Sequence, residues 1–412
     1  MQPNFFKFWP LFFGAALTGL CVIFQHTLVG VRALHENFDT VTTGIVMAAY
    51  FVGYLIGSVN GPRIIRRVGH IRTFGAFASI GSAAVLLYPI YINAWMWGFV
   101  RLLFGMAISI IWIVVESWLH QQTSNANRAK LMAFYSVLLL AAFCGGPLLL
   151  NIAEPTSSEL FILASLLMSL VRVPLLLSGA SAAPLHEASN EISLRKLFRL
   201  APLGVIGIPL VECCAGVIYG MGAVYALETG LTTKEATIFV AALSFGGILF
   251  QYPIGVLSDR MDRRLAIGLI SVAATISGIA ALAVVPTFNT LLALAVLFGG
   301  FCLPIHALLS AHINDYLDAT QMVAANAAVV LLVGIGAIFG PALVGILMKL
   351  TGPSAFFWFP GLSCGLIALY TVWRMFQRAP VPSDERSEFE MRTPAGSAPN
   401  LKSVPMGIDQ GD

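Results

Sequence analysis

Two ionisable residues stand inside long apolar stretches of this chain. Glu212 lies in IPLVECCAGVIYG, and Arg101 lies in WMWGFVRLLFGM. Because removal from water favours the neutral form of a carboxyl group, Glu212 could bind and release a proton as its surroundings change. The alternative is a carboxyl group fixed in a permanent hydrogen bond between helices. Arg101 could likewise be held by backbone carbonyl groups.

Two histidines lie in similar apolar surroundings: His26, directly after Gln25, and His306 in a later stretch. An imidazole titrates near physiological pH, so either histidine could relay protons. A lone histidine can also be a hydrogen-bonded packing residue, and that alternative stays open for both. The six cysteines lie in apolar runs without the spacing of a metal site or a disulfide framework, so we interpret them as small core residues.

Charge concentrated between two apolar runs is a second kind of signal. The segment GVLSDRMDRR begins at Gly255, and an earlier segment, GSVNGPRIIRRVGHIR, begins at Gly57. The charged residues of interest in the later segment are Asp259, Arg260, Arg263 and Arg264. The earlier segment has no such aspartate, and its basic and turn residues are Arg63, Arg66, Arg67, Gly69 and Arg72.

The elements that must position these residues are apolar and long. Of the 412 residues, 58% are hydrophobic and 10% are charged, and the mean hydropathy is +0.85. A bilayer is crossed by a helix of about 20 apolar residues. Twelve stretches reach that length, which predicts an all-α integral membrane protein. The predicted spans are 8–31, 40–61, 71–91, 95–117, 130–152, 159–180, 201–227, 235–257, 265–285, 289–311, 323–348 and 354–376.

The placement of basic residues predicts the orientation. Most of the 23 Lys and Arg residues fall on one side if both termini are cytoplasmic, as the positive-inside rule requires. The first span is longer than a signal-peptide core and is followed by no small-residue cleavage pattern, so we expect it to be retained. We therefore expect a multi-pass protein of a bacterial plasma (inner) membrane.

Two features recur at nearly half the chain length and predict a duplication. The charged segments follow the second and eighth spans, and Gly-Pro pairs occur in the fifth and eleventh. We expect a six-helix half at 1–180, a cytoplasmic loop at 181–200, a second half at 201–377 and a disordered tail at 378–412. The Gly-Pro pairs, expected to pack helices, are Gly146-Pro147 and Gly340-Pro341.

These motifs resemble those of the major facilitator superfamily. Its signature loop is similar to GVLSDRMDRR, although Asp262 stands where the family usually has Gly and Gly61 replaces the aspartate of the first copy. Arg101, four residues before Gly105, resembles a fourth-span motif. Gly146-Pro147 resembles the core of an antiporter motif. The resemblance implies two pseudo-symmetric six-helix halves that alternate access to a central cavity.

The resemblance also implies which residues meet. Spans one, four, seven and ten line the cavity in this superfamily, which suggests a chamber with two aromatic wall residues, Trp112 and Tyr219. The polar residues of that chamber would be Gln25, His26, Arg101, Glu212 and His306. A role for Arg101 near the proton path is likewise implied by the resemblance.

A latch between the halves is expected on the cytoplasmic side. Asp259 ends a helix whose dipole is already negative there, so it needs a cationic partner. That partner could be a neighbouring arginine or the start of span five near Arg128, and the resemblance implies such an inter-half latch. Asp315 could join it by facing the 63–72 loop, and Glu116 by pairing with Arg66 or Arg67. The alternatives are arginines that only anchor topology and, for Asp315, a solvated surface charge.

Function follows from what the sequence contains. We find no phosphate-binding glycine loop, metal-ligand spacing on a helix or serine nucleophile motif, so we expect neither an enzyme nor a cofactor or metal. The net charge of +3 is too small to indicate nucleic-acid binding. We expect a monomer that moves a small molecule with protons, by efflux of an amphipathic compound. Alternatives are proton symport of a metabolite and a non-transporting sensor or scaffold.

Overall fold

The computed structural model describes residues 9–121, 125–177, 193–317 and 319–377, and within those ranges it contains helices and no strand. The predicted tail, 378–412, and residues 181–192 of the predicted central loop lie outside the described residues. The predicted boundaries of the two halves stay a prediction. Within the described ranges, the all-helical architecture expected from the apolar periodicity is confirmed.

The part of the chain before residue 178 forms the first series of helices. They are α1 (Trp9–His35), α2 (Thr40–Val68), α3 (His70–Val85), α4 (Ala94–Gln121), α5 (Asn125–Gly145), a 3-10 segment (Pro147–Ile152), α6 (Glu159–Val171) and α7 (Val173–Leu177). Proline has no N–H and is tolerated at a helix start, which is why the 3-10 segment begins at Pro147.

The later part forms the second series. A short helix, α8 (Leu194–Leu200), precedes α9 (Pro202–Glu228), α10 (Thr233–Arg260), α11 (Arg263–Ala280), α12 (Phe288–Cys302), α13 (Pro304–Asn314), α14 (Ala319–Thr351) and α15 (Ala355–Gln377). The predicted tenth span is thus two helices, α12 and α13, because Pro304 cannot donate the hydrogen bond that would continue α12.

Ten helical stretches of the described chain are long and apolar enough to cross a membrane. They correspond to all the predicted spans except the third and the sixth. Those two appear as shorter helices, α3 with 16 residues and α6 with 13 residues. Apolar side chains such as Leu369 and Phe376 are exposed on the outer surface of the bundle. This is the surface expected of helices surrounded by lipid. Their backbone groups are hydrogen-bonded within the helix, and their apolar side chains face the hydrocarbon.

Glycines allow the same close helix crossing in both series. A Cβ at Gly53 of α2 would overlap the Leu102 carbonyl oxygen, and one at Gly105 of α4 would overlap that of Tyr50. In the second series the α10–α12 crossing repeats this arrangement. There the glycines are Gly246 and Gly299, which face the carbonyl oxygens of Val296 and Leu243. Small residues at such crossings let helix backbones touch, the main source of packing energy in lipid.

The two series meet along α2 and α14. At the end of α2 remote from the charged segments, Lys349 Nζ lies 2.6 Å from Asp39 Oδ2. Close by, the Thr40 hydroxyl donates to the Gly345 carbonyl oxygen at 3.0 Å. A Cβ at Gly44 would overlap the Pro341 carbonyl oxygen, so the two backbones are in contact. The halves are therefore closed against each other at this end, which the basic-residue pattern predicts to be external.

A single methyl group tests the α2–α4 crossing. Gly105→Ala should lower thermal stability by about 1–3 kcal/mol, because the new Cβ has no room beside the Tyr50 carbonyl. Gly98→Ala on the same helix is the matched control, since its Cβ would meet no atom within 4 Å. Unfolding curves of the purified protein in detergent provide the measurement. Equal stability of the two variants would contradict the close crossing.

The Asp39–Lys349 pair predicts a dependence on pH. The Lys349 hydrogen bond, followed by those from Thr42, lowers the pKa of Asp39 to about 2. A lowered carboxyl pKa gives stability that is present above the unfolded value of about 3.9 and is lost as pH falls through about 2. A double-mutant cycle with Asp39→Asn and Lys349→Gln should give about 0.2–1 kcal/mol at pH 7, because the pair is exposed.

That coupling should be equal at pH 7 and pH 5 and should shrink in 1 M salt, since salt screens exposed charges. Lys234→Gln replaces Lys349→Gln in the control cycle with Asp39→Asn. A coupling of the same size in the control cycle would mean that the ion pair does not contribute.

Candidate functional site

The second series holds a buried acid–base pair. Glu212 of α9 is 0% exposed, and its Oε1 lies 2.6 Å from Nδ1 of His306 on α13. The other carboxylate oxygen, Oε2, has no hydrogen-bond partner in the described part of the chain. On the far side of the imidazole, the Ser310 hydroxyl lies 3.5 Å from Nε2. Two helices thus bring together a carboxyl and an imidazole group that can share one proton.

The local sequence explains why this pair forms. His306 lies in the first turn of α13, directly after the break at Leu303 and Pro304. Pro209 lies one turn before Glu212 in α9, and its carbonyl oxygen is in close contact with Gly336 of α14. The break of the tenth span and the tight α9–α14 packing therefore set the positions of the imidazole and the carboxyl group.

A second polar group lies in the first series. Arg101 of α4 is 0% exposed and donates to Gln25 Oε1 at 2.6 Å, and Gln25 in turn donates to the Tyr88 hydroxyl at 3.2 Å. The guanidinium also contacts Met47 Sδ at 2.9 Å and lies 5.3 Å from the centroid of the Tyr50 ring. None of these contacts is acidic. The Arg101 charge is therefore held by dipoles and an aromatic face.

Of the remaining predicted chamber residues, His26 borders the Arg101 group, and Trp112 and Tyr219 pack against other aromatic rings. His26 Nδ1 donates to the Val22 carbonyl oxygen at 2.7 Å, and its ring packs edge-on against Tyr50 at 4.4 Å. Trp112 packs against Tyr135, and Tyr219 packs against Phe143. The His26 contacts fit the hydrogen-bonded packing alternative, and a relay role stays a prediction.

Tyr54 is a residue that the sequence analysis missed. It is half-buried on α2 and interacts electrostatically with Glu116 of α4 and with Glu212 of α9. Glu116 is 2% exposed and also interacts with Tyr135. Tyr54 is therefore a polar group that is influenced by carboxylates of both series. Its only signal in the sequence is its spacing of four from Tyr50.

The charged segment after the eighth span forms a compact ion cluster. Arg263 contacts Asp259 Oδ1 at 3.0 Å and Asp315 Oδ1 at 2.6 Å. Arg264 Nη2 lies 2.8 Å from Asp262 Oδ2. Asp259 thus has the neighbouring-arginine partner that the sequence left open. The interpretation of Asp315 as a solvated surface charge is wrong, since its side chain is 2% exposed.

The predicted inter-half latch stays a prediction. The pairing described for Asp315 lies within its own half, and the side chain of Arg128 lies outside the described part. Glu116 is buried, whereas its predicted partners Arg66 and Arg67 are exposed. Arg263 and Arg264 are buried, and the other described arginines of the two charged segments are exposed. The exposed arginines are Arg63, Arg66, Arg67, Arg72 and Arg260.

Glycines of the motifs have local structural roles. Gly69 has a φ of 88° between α2 and α3, which favours glycine, and its N–H donates to the Ile65 carbonyl oxygen. Gly57 lies against the backbone of α4 at Met106. Gly255 is buried in α10. Gly146 and Gly340 lie at crossings of α5 with α1 and of α14 with α9, as expected for packing positions.

Comparison with known proteins supports the family suggested by these motifs. The family model described as Major Facilitator Superfamily matches residues 210–406. Curated relatives from Escherichia coli strains, each named "Uncharacterized MFS-type transporter YcaD", are 29% identical over 339 residues, or 82% of this chain and 87% of the relative. The chain is thus similar to the major facilitator superfamily over residues 210–406 and to these relatives over most of its length.

Solved structures show the superfamily fold. The nucleoside transporter NupG aligns with a TM-score of 0.70 at 13% identity and covers 92% of this chain and 100% of its own. A bacterial homologue of the human lysosomal transporter Spinster, inward-facing and unoccupied, aligns with a TM-score of 0.72 at 12% identity, over 94% and 99%. At this level of identity the likeness shows the fold, which is the helical fold of these two transporters.

The Arg101 contacts predict a specific loss of stability. Gln25→Leu should cost about 1.5–3 kcal/mol, because it leaves a buried guanidinium without its hydrogen-bond acceptor. Gln25→Glu is the matched control, since it keeps the acceptor and adds a counter-charge. Thermal unfolding in detergent measures both. A Gln25→Leu protein as stable as the wild type would contradict this account of how the charge is held.

Proposed function

We propose that this transporter couples movement of a small molecule to protons, with alternating access to a cavity between its halves. The observation that carries the proposal is the buried contact between Glu212 and His306, 2.6 Å long. Charged groups inside a membrane protein are expensive and mark ion or proton pathways. We propose the pair as the proton-binding group and the cavity residues of the first half as part of the substrate site.

The chemistry of the pair supports this role. With one proton shared between carboxyl and imidazole, the pair is neutral as a whole, whichever atom holds the proton. Loss of that proton or gain of a second leaves a net charge that burial disfavours. Proton exchange therefore requires water to reach the pair, and Oε2 is the open acceptor. A conformational change that exposes the pair to one face of the membrane at a time would then carry protons across the membrane.

The favoured direction is efflux of an amphipathic compound in exchange for protons. It is supported by Gly146-Pro147, which resembles the antiporter motif and forms the contact of α5 with α1 near Leu20. A second candidate is proton symport of an anionic metabolite. It is favoured by Arg101, a buried cation whose described contacts include no acid and which an anionic substrate would neutralise.

A proton-flux assay in everted vesicles tests the proposal. Ethidium serves as the amphipathic probe and succinate as the anionic one, and a pH-sensitive dye reports the interior. With an acidic interior, antiport predicts that external ethidium discharges the pH gradient. Symport predicts discharge only when succinate is loaded inside. Glu212→Gln should abolish the substrate-dependent discharge, because a neutral amide cannot exchange a proton.

The matched control is Glu228→Gln, at the exposed end of the same helix. It should transport like the wild type. His306→Gln should also lose coupling while binding of the probe, followed by thermal shift, persists. Unchanged substrate-dependent proton flux in Glu212→Gln would contradict the proposed mechanism. Thermal-shift binding without any flux in the wild type would favour a non-transporting sensor.

A further inference from the structure

Three of the six cysteines meet inside the second series of helices. Cys214 of α9, Cys302 at the end of α12 and Cys364 of α15 are each 0% exposed. The Cys364 sulfur lies 4.0 Å from that of Cys214 and 3.9 Å from that of Cys302. All three sulfurs lie within 4.8 Å of one another. The spacing of the cysteines along the chain does not predict this cluster, because each of the three lies on a different helix.

The other three cysteines lie elsewhere and make single contacts. Cys21 donates to the Ala164 carbonyl oxygen, and Cys144 donates to that of Ala241. Cys213 is adjacent to Cys214, but its backbone carbonyl faces Gly340 on α14. The chain therefore contains matched cysteines outside the cluster, in the same apolar setting, that provide internal controls.

The sulfur positions fit a three-coordinate metal site. Bonds of about 2.3 Å from one ion to three coplanar sulfurs place those sulfurs about 4.0 Å apart. The two distances from Cys364, 3.9 and 4.0 Å, already match that geometry, and the Cys214–Cys302 distance is within 4.8 Å. A disulfide would need sulfurs about 2.05 Å apart, so two of the buried helices would have to approach each other. The geometry favours metal binding over disulfide formation.

The donor set indicates which metal. Structural zinc sites almost always have four ligands. In the described part of the chain, no fourth cysteine, histidine, aspartate or glutamate joins the group. Three sulfur donors without nitrogen or oxygen are soft ligands, which select monovalent copper. We propose that Cys214, Cys302 and Cys364 form a buried site that binds one Cu(I) ion.

The charge balance of such a site sets its pH dependence. Cysteine binds a metal as the thiolate, so each of the three ligands releases its proton to solvent when Cu(I) binds, and binding weakens as the pH falls. The three thiolates and Cu(I) together carry a net charge of −2, which opposes burial in the bundle and limits the affinity. No electron is transferred, and no bond within the protein is broken.

The site would act on the helices that carry the acid–base pair. Cys214 lies two residues after Glu212, and Cys302 lies four residues before His306, across the break in the tenth span. A bound ion would therefore tie α9, α12 and α15 together next to the Glu212–His306 contact. The binding itself is independent of proton coupling and is tested without transport.

Copper binding is measured on the purified full-length transporter in detergent under reducing, oxygen-free conditions. Cu(I) is supplied from its bicinchoninate complex, and transfer to the protein is followed to constant absorbance. The expected stoichiometry is one ion per chain, with near-ultraviolet sulfur-to-copper absorption and a raised Tm. Copper X-ray absorption should report three sulfur neighbours at about 2.3 Å.

Cysteine variants locate the site. Cys214→Ser, Cys302→Ser and Cys364→Ser should each weaken Cu(I) binding by about 10-fold or more, since loss of a ligand exceeds the loss of an outer-shell partner. Cys213→Ser and Cys144→Ser are the matched controls and should bind like the wild type. Size-exclusion profiles establish that each variant is folded.

Three results would overturn the proposal. The first is a wild-type protein that takes up no stoichiometric Cu(I) from bicinchoninate. The second is X-ray absorption dominated by nitrogen or oxygen neighbours. The third is a Cys213→Ser variant in which binding falls as much as in Cys302→Ser. The X-ray result uses the wild type alone, so it holds even if a cluster variant fails to fold.

Discussion

A guanidinium removed from water loses a hydration energy that a single hydrogen bond does not replace. Among the described residues, Arg101 meets this constraint through contacts that include no carboxylate. Its charge is spread over the Gln25 amide oxygen, the Met47 sulfur and the Tyr50 ring. Together these contacts require α1 and α2 to stay closely packed against α4, because Gln25 lies on α1 and both Met47 and Tyr50 lie on α2. The glycine crossing of α2 and α4 is thus a condition for keeping the charge inside the bundle.

The same constraint has a different solution in the second series. Glu212 is paired with a group that can itself be charged or neutral, so the two residues can be buried with one shared proton. The first half therefore buries a guanidinium among neutral groups, whereas the second half, in the proposed mechanism, buries a pair whose charge changes with its protons. Tyr54, which interacts with carboxylates of both series, lies where these two electrostatic environments meet.

Much of the fold could be predicted because lipid imposes a simple rule on composition. Apolar length located ten helices that the structure bears out, and glycine-rich segments coincide with helix crossings. The third span was predicted too long, because apolar residues continue past Val85, where α3 ends. The sixth predicted span is divided at Arg172 into α6 and α7. The apolar composition of a segment predicts that it is buried in the membrane, but it does not predict the residue at which the helix ends.

The site could be predicted only in part. Glu212, His306, Arg101 and Gln25 stand out because polar groups are rare in apolar runs, and the structure joins them into two pairs. Which residue pairs with which depends on contacts between distant helices. Asp315 illustrates this limit, because its partner Arg263 lies 52 positions away on α11. The convergence of the cysteines depends on the same kind of long-range packing.

The break between α12 and α13 has a mechanical consequence. The 11 residues of α13 carry His306 in the first turn and end at the C-cap residue Asp315. A displacement of α13 would change the contact with Glu212 and the contact with Arg263 together. One short helix thus links the buried acid–base pair to the ion cluster at its other end.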